Sequence, residues 1–182
     1  MFDVRKIQEQ AIYSAIKEAG GEGMAKEIVY GEHGQYSLED NATWVKSTMS
    51  RLESRFGKPL LRQIRRNCQC GYGMDEKLAL VQELVASSSC LEEFASQDKA
   101  RAAGLYCERG ELYLQFAFCA CPMLAGVGKM DTDTWCLCTT GYSKTLFEKA
   151  FGCAVEVELL QSIKMGCDTC IQKIIPLGSV WK

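Results

Sequence analysis

The sequence predicts an α+β fold, with helices through about residue 103 followed by a mostly antiparallel sheet carrying one inserted helix. Three observations carry this. Apolar residues recur at helical spacing up to Gly104. Beyond Gly104 they alternate with a period of two. Only near residues 141–151 does the helical spacing return. The N-terminal helices are expected to pack on the sheet. The 182 residues suit one domain with a real core, spanning residues 1–182.

The first helix follows Asp3, with Val4, Ile7, Ala11, Ile12, Ala15 and Ile16 on one face, and stops at Gly20-Gly21. A polar, glycine-containing link comes next. Ser37 and Asp40 offer cap chemistry to a helix holding Trp44, Val45, Met49, Leu52 and Phe56, closed by Gly57 and Pro59. A shorter helix runs from Leu60 to about Asn67. Another covers Asp75 to Ala86, with Leu78, Val81, Leu84 and Val85 on its apolar side. Ser89-Cys90-Leu91-Glu92 reads as a capping box for a helix ending near Gly104.

Leu105–Cys107 and Glu111–Cys121 then read as strands joined by the turn Glu108-Arg109-Gly110. Leu112, Leu114, Phe116 and Phe118 share one face of the second strand. Tyr113, Gln115, Cys119 and Cys121 share the other, a pocket wall. After Pro122 a loop through Gly126, Gly128 and Asp131–Thr134 leads to Trp135-Cys136-Leu137-Cys138, read as extended. A helix covers 141–151 and ends at Gly152. The strands Ala154–Leu160 and Thr169–Ile175 close the chain.

Lys and Arg total 21 against 23 Asp and Glu, for a net charge of −2, which supplies no electrostatic case for nucleic acid or an anionic membrane. No apolar stretch approaches spanning length, so membrane insertion is not expected. The opening residues lead into an amphipathic pattern and not an apolar leader, so the chain reads as cytoplasmic. In that reducing setting, eleven cysteines favour metal or thiol chemistry over disulfides.

Eight cysteines fall in four pairs: Cys68/Cys70, Cys119/Cys121, Cys136/Cys138 and Cys167/Cys170. On a strand, residues i and i+2 share a face with Cα atoms roughly 6.5 Å apart. Cys119, Cys121, Cys136 and Cys138 on neighbouring strands would gather four sulfurs, with Cys68 and Cys70 at the rim or replacing one pair. Four convergent thiolates suit zinc. Buried, metal-free thiols are the competing reading. An iron–sulfur cluster ranks below zinc, because the spacings differ from the ferredoxin strings. The only histidine, His33, lies in a glycine-rich loop and reads as solvated.

If the protein is an enzyme, Cys138 is the reactive-thiol candidate. Arg65, Arg66, Lys144 or the amino end of the following helix would favour its thiolate. Tyr72, Tyr113, Trp135 and Tyr142 are the candidate ligand-binding aromatics, weighed against a plain core role. The Arg62-Arg65-Arg66 stripe reads as a solvated helix face, or as the partner of an anionic ligand.

The string Trp135-Cys136-Leu137-Cys138-Thr139-Thr140-Gly141-Tyr142, then Phe147-Glu148, Phe151-Gly152, Val155–Ile163, Gly166 and Cys170, resembles the C-terminal half of 4-vinyl-reductase-like domains. It is also similar to the L-2-amino-thiazoline-4-carboxylic acid hydrolase family. The resemblance covers about the last third of the chain. It implies the α/β ligand-binding fold shared with haem-NO-binding and Golgi transport-particle domains. It further implies a small-molecule ligand and zinc on cysteine. The primary expectation is therefore a small-molecule-binding protein with a cysteine-rich, zinc-compatible pocket. The alternative is a metal-assisted or thiol-dependent hydrolase of a small sulfur-containing or amide ring. A homodimer through an exposed sheet edge is compatible with the pattern.

Overall fold

Short polar caps and glycines set where several helices begin or end. The computed structural model describes residues 3–33 and 39–181. The chain divides into two compact units, one from Met1–Tyr72 with Cys121–Gly141, the other from Gly73–Ala120 with Tyr142–Lys182. The expected cap at Ser37 and the side chain of His33 lie outside the described residues.

In the first unit, α1 (Val4–Gly20) starts where the Asp3 carboxylate accepts the Lys6 N–H at 3.0 Å. Gly21, at φ 88°, ends it and lets α2 (Glu22–Tyr30) begin at once. That helix occupies the stretch expected as a link. It buries Ala25, Ile28 and Val29, an i, i+3, i+4 set, and packs against α1. α3 (Asn41–Arg55) is capped as expected by Asp40, whose carboxylate accepts the N–H groups of Ala42 and Thr43. Pro59 opens α4 (Lys58–Asn67), since a proline in the first turn loses no helical hydrogen bond. Two 3-10 turns, Pro122–Leu124 and Thr134–Cys136, bury Met123, Leu124 and Trp135 in the same unit. The long helix that follows the Thr134–Cys136 turn, labelled α5 (Leu137–Phe151), contributes its residues through Gly141 to this unit.

The second unit holds helices Met74–Ala86, Leu91–Ser96 and Asp98–Ala102 and a four-stranded antiparallel sheet. Its strands are β1 (Leu105–Glu108), β2 (Glu111–Phe116), β3 (Val155–Gln161) and β4 (Cys170–Pro176), in the order β1-β2-β4-β3. Arg109 and Gly110 both have positive φ, the pattern of the tight turn expected between β1 and β2. Leu112, Ile174 and Val157 stand in one cross-strand row and are buried. They meet a core in which Phe94 packs edge-on to Phe151 at 5.8 Å and Phe147 lies 5.2 Å from Phe151. The expected capping box sits one residue later. Cys90 is the N-cap of Leu91–Ser96, and the Glu93 carboxylate accepts the Ser89 N–H and hydroxyl.

The α+β class holds, and two expectations about the cysteine pairs do not. β2 ends at Phe116, because β4 begins opposite it at Cys170 and β1 begins opposite Leu114. Cys119 and Cys121 therefore lie beyond the strand, and Phe118 is 67% exposed. Trp135–Cys138 is helical and not extended. The Asp133 carbonyl accepts the Cys136 N–H at 2.8 Å and starts the 3-10 turn that feeds α5. On a helix, Cys136 and Cys138 point about 200° apart, so they do not share a face. Among the described residues, no helix is long and apolar enough to cross a membrane.

Candidate functional site: a buried thiol cluster in the first unit

Three stretches of chain carry cysteines into one region of the first unit. Cys68 caps the C-terminus of α4, and Cys70 follows it beside Gly71, whose φ is 68°. Cys121 precedes the Pro122 turn, and Cys138 sits in the first turn of α5. Gly141, one turn after Cys138, brings the helix onto the end of α4. A Cβ at Gly141 would stand 1.8 Å from the Arg66 carbonyl oxygen. This backbone contact seats Cys138 near Cys68 and Cys70.

Arg65 organises the polar groups around the thiols. It is 0% exposed. Its Nη1 donates to Gln8 Oε1 and its Nη2 to the Trp135 carbonyl, both at 3.1 Å. Its guanidinium lies over the Trp135 ring, 4.1 Å from the centroid. Its Nε has no hydrogen-bond partner. Gln8, also buried, donates from Nε2 to the Cys68 carbonyl at 2.6 Å and lies 3.7 Å from Cys138 Sγ. Trp135 meets Trp44 edge-on at 5.7 Å, and Arg5 lies 5.1 Å from the Trp44 ring centroid. Arg5 is matched by Glu9 at 2.9 Å.

Burial sets the thiol chemistry. It pushes Cys138 up to about 12, with the nearby thiols of Cys121, Cys70 and Cys68 adding to the rise and Arg65 opposing it. Cys68 is raised by burial too, again against the charge and hydrogen bond of Arg65. Cys138 does occupy the first turn of α5, but burial outweighs the opposing charge of Arg65 there. The structure thus holds Cys138 as a neutral thiol near pH 7, opposite to the shift a nucleophile needs.

Cys68, Cys70 and Cys121 all act electrostatically on Cys138. Cys136 is buried in the 3-10 turn of the same unit, and Cys119 belongs to the second unit. Among the described residues, no three His, Cys, Asp or Glu side chains stand in an arrangement that holds a metal ion. None of the eleven cysteines forms a disulfide. Of the arginine stripe, Arg62 pairs with Asp133 at an exposed site, whereas Arg65 is wholly inside and not on a solvated face. Gln8 was not singled out from the sequence. Its signal is a polar residue one turn before Ile12 on the buried face of α1.

The four candidate aromatics are dispersed. Tyr72 is exposed and Trp135 is buried beneath Arg65. Tyr142 is in the second unit's core, with the Lys77 ammonium 4.9 Å from its ring centroid. Tyr113 stacks on Tyr106 at 5.1 Å, and its hydroxyl donates to Glu111 at 2.6 Å. None of the four lines the open groove of about 610 Å³ in the second unit, whose wall includes Leu112, Glu111, Lys173, Ile174 and Trp181.

The Glu111 hydrogen bond, followed by burial, pushes the Tyr113 phenol up to about 12. A raised phenol pKa means the bond contributes below the ordinary value and is lost as pH rises through about 12. In an ultraviolet titration, Glu111→Gln is expected to bring one tyrosine back toward the ordinary range. An unchanged titration would show that this hydrogen bond does not hold the proton.

No curated protein and no solved structure matches the chain significantly. A family model does match, over residues 1–181, and the chain belongs to that family of unknown function, DUF6144.

Proposed function

We propose that this protein binds a soft metal, zinc by preference, through Cys68, Cys70, Cys121 and Cys138, in a small-molecule-binding protein. The observation that carries the reading is that the thiols of two other stretches of chain, Cys68/Cys70 and Cys121, lie near enough to Cys138 to raise its pKa. Zinc takes four thiolates tetrahedrally near 2.3 Å and deprotonates them outright. Rotation about a cysteine χ1 moves its sulfur by roughly 3 Å, the scale of motion that would draw these thiols onto a metal. Four protein thiolates fill the coordination shell. That favours a closed structural or sensing site over a hydrolase, which keeps a position open for water or substrate. The high pKa of Cys138 likewise speaks against a thiol nucleophile. The groove in the second unit falls within the usual size of small-molecule sites. The resemblance to 4-vinyl-reductase-like ligand-binding domains supports the same role.

Elemental analysis of anaerobically purified protein tests this. Near-stoichiometric zinc is expected, lost in Cys68→Ser and Cys138→Ser and retained in Cys119→Ser and Cys90→Ser. Metal-free protein with all eleven thiols titrating would sink the reading. Visible absorption with iron would replace zinc by an iron–sulfur cluster.

A further inference from the structure

Two cysteines of the second unit, Cys90 and Cys107, carry no sequence spacing that pairs them, and the fold brings them together. Cys90, the N-cap of the Leu91–Ser96 helix, is exposed, and its Sγ accepts the Glu93 N–H at 3.5 Å. Cys107 is half-buried on β1, directly opposite the buried Leu112, so both side chains belong to the inner face of the sheet. The Leu91–Ser96 helix packs against β1 and β2, with Phe94 in the core. The start of this helix meets the β1–β2 turn. The Glu92 carboxylate lies 3.9 Å from where a Cβ on Gly110 would stand, and the Gly110 backbone hydrogen-bonds the Cys107 sulfur. Cys90, Glu92, Gly110 and Leu112 share a wall of the open groove. Burial raises the Cys107 thiol, Glu92 and the neighbouring Cys90 add to the rise, and the Gly110 bond opposes it.

We propose that Cys90 and Cys107 are an oxidisable pair, a modification site at which a hydroperoxide sets a disulfide between the Leu91–Ser96 helix and β1. The site is independent of the metal reading and uses none of its cysteines. Exposure makes Cys90 the attacking thiol, and burial makes Cys107 the resolving one. The Cys90 sulfur attacks one oxygen of hydrogen peroxide, and the O–O bond breaks. The other oxygen leaves with the Cys90 thiol proton as water, and Cys90 becomes a sulfenic acid. The Cys107 sulfur then attacks the Cys90 sulfur, and the S–O bond breaks. That oxygen leaves with the Cys107 proton as a second water. The two sulfurs lose two electrons in all, and the peroxide takes them up. Closure requires Cα atoms within about 7 Å. It turns the Cys90 sulfur away from the Glu93 N–H and toward β1.

Treatment of the reduced protein with a small excess of hydrogen peroxide tests it, followed by alkylation and mapping of linked peptides by mass spectrometry. Alkylatable thiols are expected to fall by two from the eleven of the reduced chain. The map is expected to link Cys90 to Cys107 within one molecule, and dithiothreitol to restore both thiols. Cys107→Ser is expected to halt at the Cys90 sulfenic acid, trapped by dimedone. Cys90→Ser is expected to leave Cys107 alkylatable. If Cys107→Ser does not fold, the wild-type map decides. Cys167 and Cys170, which are close in sequence, are the internal comparison. A Cys167–Cys170 bridge with Cys90 and Cys107 still alkylated overturns the proposal. So does a Cys90 linkage between two copies, or oxidation of Cys90 beyond the sulfenic acid with no bridge formed.

Discussion

Gly141→Ala is expected to destabilise the protein by about 3 kcal/mol or more. Alanine in a helix interior ordinarily gains about 1 kcal/mol over glycine. Here the new Cβ would stand 1.8 Å from the Arg66 carbonyl oxygen and 2.8 Å from its carbon. Both neighbours are backbone, so no rotamer change relieves the overlap, and the clash exceeds the propensity gain. The same substitution is expected to lower metal stoichiometry, because this contact seats Cys138. Gly128→Ala is the control, since nothing lies within 4 Å of its Cβ position. Urea unfolding checks both, and a Gly141→Ala protein as stable as wild type would disprove the close approach.

Trp44→Ala is expected to cost about 3–5 kcal/mol, the range for a fully buried large aromatic. The loss combines the cavity, the Nε1 bond to the Val29 carbonyl at 2.9 Å, and the edge contact with Trp135. Trp44→Phe keeps most of the ring contact and loses the N–H donor, so a loss of about 1 kcal/mol is expected. Denaturant unfolding read by near-ultraviolet circular dichroism follows Trp44 and Trp135 together. A loss under 1 kcal/mol for Trp44→Ala would remove this indole from the core.

The sheet was legible because its signals are local. Glu108-Arg109-Gly110 marks the turn, and Val155–Glu158 alternates without interruption. α2 was masked by Gly20, Gly21 and Gly23, although Ala25, Ile28 and Val29 already had helical spacing. Trp135–Cys138 misled for another reason. Four residues are too few to separate a two-residue from a 3.6-residue period, and the Asp and Thr run before it is a helix-start signal.

The cysteines near Cys138 were visible in the sequence, and their grouping was not. Cys68, Cys70, Cys121 and Cys138 all stood out by spacing. Which of them meet depends on how closely Gly141 approaches α4, a tertiary contact with no local signature. Arg65 was readable in part. It lies four residues after Leu61, on the stripe that also holds Ile64 and Cys68, and three arginines in five positions hid that.

β3 is an outer strand of its sheet, and at its start the Val155 carbonyl accepts from Lys144 while the Val155 N–H donates to Glu148, which occupies that end of the edge. A second copy adding there in antiparallel fashion would bring Glu156 and Glu158 against their own like, and such opposed charges weaken a cross-strand pair. The register shift at Leu159/Gln161 further spoils the template. These features make β3–β3 pairing unfavourable, and β1 is the other edge of the sheet.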